Sequence, residues 1–222
     1  MASHEFRTPL STILSSISLL AKYTQTEDQP KRDKHIDRIK SSVKTLTDIL
    51  NEFLSLGKIE EGKIDVHFDT FNLKEFIDLV IYEMSILLKP GQTLVHHHQG
   101  ELMIYSDSNL LKHVLVNLVS NAIRYTPDVG AISVEWKVNE QGQGEFSVTD
   151  TGPGIASEHL SRLTERFYRV DRSRSRDTGG TGLGLAIVKH IANRHQAQLV
   201  IESTPGRGSK FMLRFPKERV AA

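Results

Sequence analysis

Arg176-Asp177-Thr178-Gly179-Gly180-Thr181-Gly182-Leu183-Gly184-Leu185 runs straight into the apolar-periodic segment Ala186-Ile187-Val188-Lys189-His190-Ile191. Four glycines within six residues cannot be a packed core element, because glycine loses the most backbone entropy and buries no side chain. Such a run lets backbone N–H groups approach a ligand closely. The following segment reads as a helix over 182–195, so those N–H groups stand at a helix N-terminus, where an anion is favoured. Two readings fit: a cradle for a polyphosphate, or a surface loop capping a helix. The spacing is not Gly-x-Gly-x-x-Gly and an Arg-rich segment precedes it, which argues against a dinucleotide fold. No Gly-x-x-x-x-Gly-Lys occurs anywhere, so there is no P-loop.

The 222 residues suffice for one large domain or two modest ones. A net charge of +1, from 28 basic and 27 acidic residues, gives no global field pointing to nucleic acid or a membrane surface. The absence of cysteine excludes disulfides, thiol catalysis and cysteine metal sites in this chain. No apolar run approaches the length of a transmembrane helix, and Met1-Ala2-Ser3-His4 does not read as a signal peptide.

Moving outward, Phe6, Leu10, Ile13, Ile17 and Leu20 recur at alternating spacings of four and three, as do Ile36, Ile39, Val43, Leu46, Leu50 and Phe53. These are heptad seams on two helices. The polar stretch Thr24 to Asp33, with Pro30, reads as the turn of an antiparallel hairpin. Two narrow-faced helices bury little alone, so pairing of two copies into a four-helix bundle is expected, a homodimer. Gly57 and Gly62 are expected to close the second helix, dividing the chain into 1–61 and 62–222. Beyond that point Ile64, Val66 and Phe68 alternate as a strand, and strands and helices then mix without strict βαβ order. That pattern predicts an α+β sandwich with one sheet covered by helices.

Within the second part, helix 110–125 carries Asn117 and Asn121 on one face of an otherwise apolar helix. They are either partly exposed polar residues or neutral oxygen donors to Mg²⁺, a hard cation that keeps phosphate oxygens among its ligands. Arg124 and Tyr125, just after, are placed to meet phosphates and the rim of a nucleotide. Asp150-Thr151-Gly152-Pro153-Gly154 follows a strand. Its carboxylate suits an exocyclic amine such as that of adenine, with Gly152 and Gly154 letting the ring approach; alone it could equally be a capped turn. His96-His97-His98 would put two rings on one face of a strand, but with no third ligand evident they read as a solvated edge.

Asn117-x-x-x-Asn121, Asp150-x-Gly152-x-Gly154, Glu165-Arg166-Phe167-Tyr168-Arg169 and Gly180-Thr181-Gly182-Leu183-Gly184-Leu185 resemble the N, G1, F and G2 boxes of the histidine-kinase ATP-binding domain. Ser3-His4-Glu5-Phe6-Arg7-Thr8-Pro9-Leu10 resembles the H-box of the matching dimerisation and phosphotransfer domain. The resemblance covers essentially the whole chain. It implies a dimeric helical hairpin joined to a Bergerat-type (GHKL) α/β sandwich that binds ATP and Mg²⁺. By motif match, His4 would be the phospho-acceptor, Asn121 the Mg²⁺ ligand and Asp150 the adenine reader. Gly180, Thr181, Gly182, Leu183 and Gly184 would belong to the nucleotide site, and 156–180 would form a lid. Arg172, Arg174 and Arg176 in that lid either pair with phosphate or form a solvated basic loop.

The implied activity is ATP-dependent autophosphorylation of His4, then transfer to an aspartate of a response-regulator receiver domain. Glu5 can orient the His4 ring or take its proton. Thr8, one turn after His4, matches the family's phosphatase signature; alternatively it only hydrogen-bonds a carbonyl one turn earlier. Pro9 inside the helix favours a kink. The family's first helix extends upstream of the H-box. The chain is therefore expected to be the cytoplasmic core of a larger sensor, tied to a membrane only through upstream segments.

Overall fold

The computed structural model describes residues 2–61, 65–98, 103–170 and 180–221. Helix α1 (Ala2–Leu20) and the long α2 (Gln29–Glu60) form an antiparallel hairpin. Their connection is shorter than the sequence suggested, because Pro30 falls in the first turn of α2, where its missing N–H costs nothing. Tyr23 stacks on His35 across the turn at 5.7 Å, and Arg32 Nη1 donates to the Tyr23 carbonyl at 3.2 Å. Pro9 lies within α1 and is buried. Gly57 does not end α2; the helix passes through it to Glu60, and Gly62 lies outside the described residues.

The heptad seams are split between the inner contact and the outside, with Phe6, Ile13, Leu20, Ile39 and Leu46 half-buried. Pro9 and Ser16 of α1, and His35, Ser42, Ile49 and Leu56 of α2, are the buried stripe, each seven residues from the next. The adjacent seam residues Leu10, Ile17, Val43 and Leu50 are 54, 51, 50 and 49% exposed. Each helix thus carries two neighbouring stripes, and a single hairpin satisfies only one of them.

The rest of the chain is an α/β sandwich. Strands β2 (Thr93–His98), β4 (Ala131–Val138), β5 (Gly144–Asp150), β7 (Gly208–Phe215) and β6 (Gln198–Thr204) form a five-stranded sheet in the order β2-β4-β5-β7-β6. Only β2 and β4 are parallel. A second, three-stranded sheet, β1-β3-β8, joins β1 (Asp69–Asn72), β3 (Met103–Ser106) and β8 (Val220–Ala221). The structure thus has two sheets where one was expected, the second pairing the chain's end with residues near its middle.

The strand expected at Ile64–Phe68 is also corrected. Residues 65–68 are irregular, 62–64 lie outside the described residues, and the strand falls at 69–72. Side-chain ties replace a ladder: Phe68 packs edge-on against His195 at 5.4 Å, and the His67 N–H donates to Asp107 Oδ2 at 2.8 Å.

Helices α3 (Leu73–Ser85), α4 (Ser108–Tyr125) and α6 (Gly184–Arg194) pack with the apolar face of the five-stranded sheet. A short α5 (Ser157–Leu160) lies near the start of the segment 156–180. Ile132, Val134 and Trp136 alternate inward along β4, the period-two rule at work. Asn72 caps α3, accepting from the N–H groups of Lys74 and Glu75, and Asp107 caps α4, accepting from Leu110. The C-terminal part of α2 joins the same core through Ile49, Leu56 and Ile59, packed near α6.

Candidate nucleotide site

Three elements converge on a cavity of about 550 Å³: the end of α4, the turn after β5, and the glycine-rich loop leading into α6. Helix α4 turns Val114, Leu115, Leu118, Val119 and Ile123 into the core and leaves Asn117 and Asn121 half-buried at the cavity. Asn117 Nδ2 donates to the His113 carbonyl at 2.8 Å, which directs its oxygen toward Gly184. The C-terminus of α4 is held by two side chains that sequence reasoning missed. Lys89 Nζ donates to the carbonyls of Arg124 and Thr126, at 3.0 and 2.9 Å. The buried Gln92 amide donates to those of Ile123 and Thr126, at 3.0 and 2.8 Å. Together they engage the Ile123 and Arg124 carbonyls of the helix end and help hold Arg124 and Tyr125 at the cavity.

Asp150 ends β5, buried, and lines the cavity. Burial pushes its carboxyl above the ordinary aspartate value, while the N–H groups of Gly152 and Ser209 favour the charged form. Gly152 is not itself in the lining; its N–H donates to Asp150 Oδ1 at 2.8 Å and so positions the carboxylate. Gly154 lines the cavity with φ at +69°, and a β-carbon there would fall 2.0 Å from the Thr204 carbonyl oxygen, so only glycine fits. Ile155, Leu163, Leu185 and Phe211 supply an apolar wall near Asp150. Leu185 closes the glycine-rich box, whereas Leu163 and Phe211 came from no recognisable spacing, since each reads as ordinary core.

The loop completes the cavity through Gly180, Thr181, Gly182 and Gly184. Leu183 departs from the expectation: its side chain is fully buried in the core and does not line the cavity. It anchors the loop instead, and its N–H donates to Thr181 Oγ1 at 3.2 Å. Leu183, the residue before α6, makes no side-chain cap, and a helix N-terminus of this kind suits an anion. Phe167 adopts φ +61° and donates its N–H to the Gly182 carbonyl at 2.8 Å, tying its segment to the glycine-rich loop. Arg172, Arg174 and Arg176, with the rest of 171–179, lie outside the described residues.

A buried network fixes α4 relative to α6. His195 donates from Nδ1 to the Ile191 carbonyl at 2.9 Å and accepts the Asp107 N–H at Nε2, at 3.3 Å. Burial holds its ring below the usual histidine pKa, so it is neutral. On the far side, α2 reaches the loop: Thr181 donates its hydroxyl to Glu52. At the end of α2, Glu60 pairs with Arg166 and, at 3.0 Å, with His190 Nε2. Glu52 was invisible in the sequence because its position on the hairpin reads as a solvated one.

His4 is exposed and Glu5 half-buried near the start of α1; neither lines the cavity. Thr8 donates its hydroxyl to the His4 carbonyl at 3.2 Å, the backbone bond expected of a mid-helix threonine. Elsewhere, β2 is an edge strand, and His96 Nε2 pairs with Asp78 Oδ1 at 2.7 Å while His97 and His98 are exposed.

A helical hairpin docked on a two-sheet sandwich, with an asparagine helix, a buried aspartate and a glycine-rich loop around one cavity, defines the class. Residues 106–219 match the family described as histidine kinase-, DNA gyrase B-, and HSP90-like ATPase, and residues 1–62 match the His Kinase A (phospho-acceptor) domain. The chain belongs to this family, as a catalytic core of the two-component sensor histidine kinase type. It is 37% identical to the phosphate regulon sensor protein PhoR of Pseudomonas aeruginosa, over 99% of this chain and 49% of that protein. It is 36% identical to PhoR of Haemophilus influenzae, over 98% of this chain and 50% of that one. The chain therefore spans about half the length of these relatives. Full-length ShkA in complex with AMPPNP superimposes with a TM-score of 0.72 at 26% identity, over 97% of this chain and 44% of ShkA. Among the described residues no helix is long and apolar enough to cross a membrane.

Proposed function

We propose that the chain is an ATP-dependent histidine autokinase that phosphorylates His4 and passes the phosphoryl group to an aspartate of a response-regulator receiver domain. The observation that carries this reading is the single cavity shared by Asn117, Asn121, Asp150 and the glycine-rich loop, set beside the hairpin that bears His4. Adenine fits the carboxylate and apolar wall, and the triphosphate fits the uncapped α6 N-terminus with Arg124. Asn121, with Asn117 beside it, offers the neutral oxygen that Mg²⁺ accepts; when bound, the ion neutralises phosphate charge.

Tyr23 and His35 stack across the turn, so equal rises along two antiparallel helices bring His4 about level with Leu54, within a turn of Glu52. The acceptor and the phosphate end of the cavity are thus at similar heights on the hairpin. In the transfer, an unprotonated His4 ring nitrogen attacks the terminal phosphorus. The bond from that phosphorus to the bridging oxygen breaks, ADP leaves, and Glu5 takes the proton from the other ring nitrogen. Most of the catalysis is positioning.

The exposed stripe of Leu10, Ile17, Val43 and Leu50 supports a homodimer through a four-helix bundle. Domains of 1–61 and 62–222, and a cytoplasmic location for this core, follow from the same reading. Thr8 is proposed to help orient water against the regulator's phospho-aspartate. Its proton is engaged with the His4 carbonyl, and its lone pairs remain available as acceptors. The test is incubation with γ-labelled ATP followed by a panel of receiver domains. Label that appears on the chain and moves to one receiver supports the reading; a chain that is never labelled overturns it.

A further inference from the structure

Glu52 sits where two cavities meet. It lines the nucleotide cavity, and with Arg124, Gly180 and Thr181 it also lines a groove of about 370 Å³ running along α2 past Ser41, Lys44 and Asp48. Its carboxylate accepts the Thr181 hydroxyl. The Thr181 oxygen is already engaged by the Leu183 N–H at 3.2 Å, which leaves the O–H free to point outward to Glu52. Arg124 is packed against the same loop: a β-carbon on Gly180 would lie 2.4 Å from its Nη1. A carboxylate thus occupies a place with a hydroxyl donor, a guanidinium nearby and a helix N-terminus just beyond, surroundings that suit a phosphate oxygen equally well.

We propose that Glu52 competes with the terminal phosphate of the nucleotide, so that it sets the preference of the pocket between a nucleoside triphosphate and a diphosphate. This rests on the reading of the cavity as a nucleotide site. Two anions cannot share one desolvated place without mutual repulsion. A third phosphate entering between Arg124 and Thr181 therefore displaces the carboxylate and breaks a contact between α2 and the loop. A diphosphate, shorter by one group, leaves Glu52 in place. Burial raises the carboxyl above its ordinary value, with the Thr181 hydroxyl and Arg124 acting against that shift, in keeping with an anion kept away from bulk water.

The experiment is the affinity of the whole chain and of Glu52→Gln and Glu52→Ala for ATP and for ADP. Both are measured with Mg²⁺ by displacement of a fluorescent nucleotide. Glu52→Gln preserves volume and a hydrogen-bond acceptor, so its fold is expected to match the parent. Both variants should bind ATP about 5-fold or more tightly than the parent, a coupling of ordinary size, with ADP affinity changed less than about twofold. Equal shifts for ATP and ADP, or none, would overturn the proposal while leaving the nucleotide site standing. A parent chain that binds neither nucleotide would overturn both.

Discussion

Gly184 and Asn117 touch so closely that a β-carbon on residue 184 would lie 2.5 Å from Asn117 Oδ1. The first residue of α6 and the asparagine helix are therefore fitted to one another, and the proposed phosphate cradle and proposed metal-binding edge form one unit. Gly184→Ala must push the asparagine aside or shift α6. It is expected to weaken Mg²⁺-dependent ATP affinity by about 10-fold or more, the cost of one misplaced polar group in a site. Isothermal titration with and without Mg²⁺ checks this, and unchanged affinity would show that the contact is only packing.

Asp150 leads to a pH prediction with two signs. Its folded pKa lies above the ordinary aspartate value because of burial. Protonation removes the acceptor for the adenine amine, so ATP affinity should begin to fall at a higher pH than an ordinary carboxylate would give. In the unliganded protein the same group acts oppositely. Its folded state holds the proton more tightly than the unfolded state, so its contribution to stability rises as pH drops through that window. Asp150→Asn should have low ATP affinity that falls less steeply on acidification than the parent's. A variant as steep as the parent would remove Asp150 from adenine recognition.

His195 has the reverse shift, its folded pKa lying below 6.5. The unfolded state then binds the proton more readily, so this histidine's contribution to stability is present above about pH 6.5 and is lost on acidification toward its folded pKa. His195→Gln should lose roughly 1–3 kcal/mol at pH 7.5, the cost of stranding the Asp107 N–H. Its stability should also vary less with pH between 7.5 and 5.5. Urea melts at both pH values provide the comparison.

Much of this was legible in the chain. The asparagine pair, Asp150 and the glycine loop were readable because their residue types make little sense as packing: amides on an apolar helix, glycines ahead of an apolar helix. Leu183 shows the limit of motif reading, since it lies within the box yet points into the core. Gln92, Lys89 and His195 were not readable. They act by reaching carbonyls and N–H groups distant in sequence, and no local spacing encodes such a reach. The same holds for the β1-β3-β8 sheet, whose pairing joins the chain's end to its middle.

The two neighbouring heptad stripes give a prediction about assembly. Val43 and Leu50 are half exposed on the face that the hairpin itself does not cover. A Val43→Asp, Leu50→Asp double substitution should turn a dimer into a monomer in light scattering after size exclusion, with circular dichroism little changed. A double variant that remains dimeric would place the dimer contact elsewhere.

ATP held in the cavity of the sandwich is proposed to phosphorylate His4 on the hairpin. The most direct measurement pairs γ-labelled ATP incubation with nucleotide titration on the parent chain and on His4→Gln. Acid-labile, base-stable label is expected on the parent and none on the variant, with ATP affinities that agree within about twofold, because His4 lies outside the cavity. Label of that kind persisting on His4→Gln would contradict it.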